Sequence, residues 1–142
     1  MKRFKFSMEK ILQLRKFKEE ECKLALGQAI SALNKIENDI KTTAVKKHNA
    51  AGERFKEPLE TSSWEFYILR LEQEAEKLAE KAAKAEIVVE EKRAVYLDAS
   101  RDLKAIEKLK EKQQKEYRKE YFKNEMNHVD EITASRLISS AN

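Results

Sequence analysis

Residues that build compact globular folds are scarce in this chain. Its 142 residues include only two glycines, one proline and one cysteine. So few turn-forming residues allow very few reversals of the chain. The single cysteine, Cys22, excludes an intramolecular disulfide and gives no sign of an oxidising compartment.

Long apolar runs are absent as well. No run of apolar residues exceeds four, as at Phe66 to Leu69. A secretory signal peptide needs a longer apolar core, and a membrane-spanning helix needs a much longer one. The sequence therefore predicts neither, and the expected location is the cytoplasm.

Side chains for catalysis or metal binding are equally few. His48 and His128 are the only histidines, and no cysteine or histidine pair stands at metal-ligand spacing. No glycine-rich phosphate-binding loop is present. Carboxylate pairs such as Glu90 and Glu91 are ordinary surface acids unless a cleft desolvates them. We therefore predict that the protein is not an enzyme and holds no cofactor.

Charged residues are abundant and mixed in sign. The net charge of +4 is a small difference between 30 basic and 26 acidic residues. Such mixing is typical of a solvated helix surface laced with ion pairs. A nucleic-acid-binding rod would concentrate its basic residues on one face, so that function is a weaker alternative, which salt-dependent retention on DNA would identify.

Apolar residues in the second half of the chain recur with the period of a coiled coil. Thirteen positions separated alternately by four and three residues run from Trp64 to Ile106, and only Lys92 is not apolar. They are Trp64, Ile68, Leu71, Ala75, Leu78, Ala82, Ala85, Val89, Lys92, Tyr96, Ala99, Leu103 and Ile106. A period of 3.5 residues makes a helix bury one stripe against a partner helix.

The first half contains a second stripe of this kind, and a turn separates the two. The positions of this stripe are Cys22, Leu26, Ala29, Leu33, Ile36 and Ile40. Gly52 and Pro58 mark the turn, because proline removes a backbone hydrogen bond from a helix interior. These features predict an all-α, two-helix antiparallel coiled-coil hairpin in one domain. Helix 1 is expected at about 7–50, the turn at 51–62 and helix 2 at 63–137.

Local signals support both helix starts. Ser7 is a candidate N-cap, and Phe6 with Ile11 is placed to form a hydrophobic staple. Ser62 and Glu65 have the spacing of a capping box at the start of helix 2.

The second helix is predicted to overhang the first. Reflection through the turn, near residue 56, predicts that helix 1 runs out of partner near residue 106. Later positions of the stripe are mostly polar, namely Lys110, Gln113, Tyr117, Glu120 and Asn124. We therefore expect 107–127 to project as an unpaired charged helix, which is marginally stable without a partner.

Two groups of aromatic residues exceed what the stripes need. Trp64, Phe66 and Tyr67 either cap the turn, packed on Phe55 and Leu59, or form a docking patch, and the sequence leaves both open. A further group beyond Ile106 has no evident partner in the chain, which favours an interaction surface. That group contains Tyr117, Tyr121 and Phe122.

The two ends of the chain carry distinctive residues. The opening has Phe4, Phe6, Met8, Glu9, Ile11, Leu12, Leu14 and Arg15, followed by Lys18, Glu19, Glu20 and Glu21. The later stretch has Glu107, Lys108, Leu109, Lys110, Tyr117, Asn124, Glu125, Asp130, Glu131 and Ile132. Together with the length and the long second helix, these residues resemble the flagellar export protein FliJ family.

The resemblance implies a component of the flagellar type III protein export apparatus, similar in form to the coiled coil of the rotary ATPase γ subunit. The implied partners are the export ATPase hexamer, the cytoplasmic domain of the export gate protein and the export chaperones, with no nucleic acid. The implied location is the cytoplasmic face of the inner membrane at the flagellar base. Membrane association is expected only through the export apparatus.

Site residues follow in two groups. The resemblance implies contact with the export gate near the turn, at Trp64, Tyr67 and Leu71. Contact with the ATPase ring is predicted for the apolar start of helix 1 and for the overhang. Those residues are Met8, Ile11, Leu12, Leu109, Tyr117, Tyr121 and Phe122.

A generic structural coiled coil, for instance a parallel homodimer scaffold, is the main alternative. It gives no reason for a turn at Gly52 and Pro58, nor for two helices of unequal length.

Overall fold

A computed structural model of the protein describes residues 3–56 and 61–141. Helix α1 spans Glu9–Glu53 and helix α2 spans Thr61–Ala141. The two helices pack against each other, which confirms the predicted two-helix hairpin with a longer second helix. Pairing within one chain removes the need for a parallel homodimer to bury the stripes. Contacts divide the chain into unit 1, Met1–Phe17 with Ser100–Asn142, and unit 2, Lys18–Ala99.

Helix α1 begins differently from the predicted capping pattern. The Leu12 N–H donates to the Met8 carbonyl at 3.0 Å, so Met8 rather than Ser7 occupies the N-cap position. Ile11, the second residue of the predicted staple, is 40% exposed. The buried partner of Phe6 on α1 is Leu12, one position further along the helix.

The described part of the turn is short. Helix α1 continues to Glu53, beyond the expected end near residue 50, and therefore contains Gly52. Helix α2 begins at Thr61, so the predicted capping box of Ser62 and Glu65 is not its start. The Thr61 hydroxyl donates to the Arg54 carbonyl at 3.3 Å, across the connection. Pro58 and Leu59 lie outside the described residues.

Unit 2 is held by the predicted stripes. Every α2 stripe position of this unit is buried or half-buried except Lys92, which is exposed. The α1 stripe continues past Ile40 to Thr43 and Ala50, which are both buried. The Thr43 hydroxyl donates to the Asp39 carbonyl at 2.9 Å, and this bond satisfies its polar atom.

Polar pairs across unit 2 show that the register differs slightly from the predicted one. Lys47 forms an ion pair with Glu72 at 3.1 Å, where reflection near residue 56 predicted Phe66 opposite. The Tyr96 hydroxyl donates to the Glu19 carboxylate, and this bond is the main cause that raises the pKa of Tyr96. In both pairs the α2 residue lies closer to the C-terminus than predicted. An α1 that ends later than expected explains this difference, because a longer α1 moves the centre of the turn toward the C-terminus.

Unit 1 has a small core of its own. Leu12 is 1% exposed, and it forms a cluster with Phe6 and Ile106. Leu103 and Leu109 pack against this cluster from α2. The Arg15 guanidinium donates to the Asp102 carbonyl at 2.9 Å beside it. These contacts fix the start of α1 against residues 102–110 of α2.

Candidate interaction surfaces

The N-terminal segment, residues 3–8, covers part of the predicted overhang. The Phe4 ring lies 5.6 Å from the Tyr117 ring between centroids, and Leu109 packs against the cluster that contains Phe6. The prediction of an unpaired helix from Glu107 onward is therefore wrong as far as Tyr117. Two features explain the difference. The register is displaced, because Glu9 pairs with Lys110 where reflection predicted Lys104 opposite, and the non-helical residues 3–8 add a segment that the reflection did not count.

An ion pair joins the two helices in this region. The Lys110 ammonium lies 3.1 Å from the Glu9 carboxylate, which also accepts a hydrogen bond from the Gln13 amide at 3.0 Å. The Gln13 bond first, and the Lys110 bond next, hold the pKa of Glu9 below its ordinary value. Both side chains are partly exposed, so solvent screens the pair and its contribution to stability is small.

Residues beyond Tyr121 form an exposed apolar face. Phe122, Met126 and Val129 stand at i, i+4 and i+7 and so share one side of α2. They are 67%, 62% and 52% exposed. All residues from 122 to 140 are exposed. We call Phe122, Met126 and Val129 the C-terminal stripe; it carries the spacing of a buried seam but has no covering element among the described residues.

The outward side of α1 in unit 1 carries a second exposed apolar group. Leu14 and Phe17 are 68% and 61% exposed, and Lys10 stands one turn before Leu14 on the same side. A shallow surface depression is lined by Glu9, Lys10, Gln13 and Leu14. Leu14 and Phe17 were not among the predicted site residues, although the surplus of large apolar residues near the start of the chain was the signal for them.

The predicted ATPase-ring residues fall into exposed and packed groups. Phe122 is exposed, and Met8 and Ile11 are 37% and 40% exposed. Tyr121 is half-buried, its ring lies 6.1 Å from that of Phe122, and desolvation with nearby Glu125 raises its pKa. Three others belong to the packing of unit 1, namely Leu12, Leu109 and Tyr117.

The predicted gate residues divide in the same way. Leu71 is 3% exposed and belongs to the core of unit 2. Trp64 and Tyr67 are half-buried, with ring centroids 6.0 Å apart in an edge-to-face arrangement. Phe66 and Leu69, which are 70% and 50% exposed, present the larger apolar surface of this region. Phe55 is 75% exposed, so it is not covered by the aromatic group.

Residues of the types that bind metals are not clustered in the part of the chain that the structure describes. Among the described residues, no group of three or more His, Cys, Asp or Glu side chains is placed to hold a metal ion. His48 and His128 are both exposed. None of the helices, over the residues described, is long and apolar enough to cross a membrane.

Comparison with protein families gives one match. The model for the family described as "Flagellar FliJ protein" matches residues 4–142. A search of curated proteins and a search of solved structures each found no match. The family match covers both units, including the N-terminal segment from Phe4 onward.

Proposed function

The chain belongs to the flagellar FliJ protein family, whose members are non-catalytic components of flagellar export, and we propose that it links the export ATPase to the export gate. In this proposal the protein is not an enzyme. It binds the ATPase hexamer, the cytoplasmic domain of the gate protein and the substrate chaperones. It acts at the cytoplasmic face of the inner membrane at the flagellar base, and reaches the membrane only through the apparatus.

The C-terminal stripe is the observation that carries the ATPase part of the proposal. Large apolar side chains at coiled-coil spacing are left exposed over about two turns of helix. Water contact with these side chains is unfavourable, so a partner that covers them gains hydrophobic free energy. A ring-shaped ATPase with a central opening would surround such a helix.

Fewer residues are available to contact the ATPase ring than the sequence predicted. Met8, Ile11, Tyr121 and Phe122 retain surface for a partner. Leu12 and Tyr117 instead support the ring contact indirectly, because they hold the start of α1 on α2. We therefore propose that the packed residues position the exposed ones.

Replacing the C-terminal stripe with serine tests the ATPase role. The full chain is expected to increase the turnover of the export ATPase, whereas Phe122→Ser with Met126→Ser and Val129→Ser should bind the ATPase at least about tenfold more weakly. ATPase rate and binding affinity are measured with increasing amounts of each variant. These three side chains are mostly exposed, so the melting temperature should be nearly unchanged.

A matched control separates this result from a general loss of apolar surface. Ile87→Ser with Val88→Ser and Val95→Ser changes three residues of unit 2 that are 60%, 42% and 50% exposed, and should leave ATPase stimulation intact. Equal stimulation by both triple variants would remove the stripe from the mechanism.

The gate contact is proposed for the surface around Trp64 and Tyr67. Tyr67→Ala is expected to weaken binding of the gate's cytoplasmic domain, and Phe66→Ser with Leu69→Ser should weaken it further because these side chains are more exposed. Binding is measured by titration, with helix content and melting followed in parallel. Leu24→Ser, at a 65% exposed residue of α1, is the control. Unfolding of the Tyr67→Ala variant would instead show that Tyr67 is a core residue.

A further inference from the structure

Charge is distributed unevenly between the two units. Unit 1 contains 16 basic and 9 acidic residues, a net charge of +7, whereas unit 2 contains 14 basic and 17 acidic residues, a net charge of −3. The small net charge of the chain therefore conceals a strongly basic unit and a mildly acidic one. A field of one sign over a surface attracts partners of the opposite sign.

The positive charge of unit 1 is itself localised. Residues 1–17 contain six basic residues and one acid, Glu9, and residues 100–119 contain eight basic residues and four acids. Residues 120–142, which include the C-terminal stripe, contain two basic residues and four acids. We call residues 3–17 with 100–119 the cationic belt, and it ends where the C-terminal stripe begins.

Basic residues outnumber acidic ones in the belt, so its positive charge exceeds what ion pairs such as Lys115 with Glu111 can neutralise. Glu9, the single acid of the first 17 residues, is already paired with Lys110. Lys10, Lys16, Lys108 and Lys112 are all exposed. Exposed Leu14 and Phe17 lie beside Lys10 on α1. The belt thus combines cationic side chains with apolar side chains, and both are available to a partner.

We infer that the cationic belt docks against an acidic surface of the export ATPase ring. Leu14 and Phe17 then pack against apolar residues of that same ATPase surface. This inference rests on the proposed function, because it names the chemistry of the same contact. Rim charges mainly accelerate association and fix orientation, while buried apolar anchors supply affinity. The belt and the C-terminal stripe therefore have separate roles in one interface.

Lysine neutralisation tests the inference. Lys10→Gln with Lys16→Gln, Lys108→Gln and Lys112→Gln is expected to slow association with the ATPase about tenfold or more at low salt. The difference from the unaltered chain should largely disappear at about 500 mM salt, where exposed charges are screened within about 3 to 5 Å. Serine variants of the C-terminal stripe should instead weaken binding at both salt concentrations.

The control carries the same change in charge on unit 2. Lys46→Gln with Lys77→Gln, Lys81→Gln and Lys84→Gln alters four exposed lysines outside the belt and should associate like the unaltered chain. Leu14→Ser with Phe17→Ser should raise the dissociation rate at all salt concentrations, because apolar anchors act after encounter.

The possible failures are distinguishable. If the unaltered chain does not bind the ATPase at low salt, the proposed function is wrong. If it binds with the same association rate at low and high salt, or if both lysine variants behave alike, the inferred docking on an acidic surface is wrong. The proposed function would then still stand. Retention of the chain on DNA or on anionic vesicles, lost in the belt variant while ATPase binding is kept, would assign the belt to those partners and overturn the inference.

Discussion

Replacing Leu12 with alanine is expected to lower the free energy of unfolding by about 2 to 5 kcal/mol. Leu12 is the largest fully buried side chain among the described residues, and its neighbours Phe6 and Ile106 are also buried. Truncation removes apolar contacts and leaves a cavity that neighbouring helices cannot fully close. Thermal and denaturant unfolding followed by circular dichroism measures the loss.

The control for this prediction is two residues away. Leu14→Ala should change stability by no more than about 0.5 kcal/mol, because the side chain is 68% exposed. Hydrogen exchange should show that the Leu12 variant opens unit 1 before unit 2. Equal destabilisation by the two substitutions would contradict the placement of Leu12 in the core.

Replacing Phe6 with alanine is expected to cost about 3 to 5 kcal/mol, although Phe6 precedes the first residue of α1. Phe6 is 7% exposed and packs in one cluster with Leu12 and Ile106. Loss of the ring should also release Phe4 from Tyr117, since both phenylalanines belong to the same N-terminal segment. The free energy of unfolding and the hydrogen-exchange rates of backbone amides 103–117 are measured for the variant and for the unaltered chain.

Phe122→Ala is the matched control for Phe6. Phe122 is also in unit 1, but it is 67% exposed, so its removal should leave the unfolding free energy nearly unchanged. If Phe6→Ala were equally neutral, the N-terminal segment would contribute no stability, and residues 107–117 would behave as the free helix that the sequence predicted.

The role of Leu71 illustrates a conflict that the sequence already contained. Leu71 is one of the thirteen stripe positions, and its burial follows directly from the coiled-coil period. The resemblance to the family nevertheless placed it in a docking surface. A residue cannot both fill the seam and present its side chain to a partner, so exposed Phe66 and Leu69 are better candidates for that contact.

Leu12 shows the opposite case, in which polar residues concealed the pattern. Extending the α1 stripe backward from Cys22 with the same four-three spacing gives Glu19, Arg15 and Leu12. Glu19 and Arg15 hid the continuation, because a charged residue in a seam is costly unless it is paired. The structure pairs them, with Tyr96 and with the Asp102 carbonyl respectively.

The sequence by itself determined the helical class, the two stripes and the single turn, because the heptad period depends only on local spacing and the breakers are few. It also determined the family, through residues at both ends of the chain. Only the tertiary structure decided the path of the N-terminal segment and the pairing of Phe4 with Tyr117. Both features depend on where the non-helical residues before α1 meet α2, and such a segment carries no heptad period that could predict its contacts.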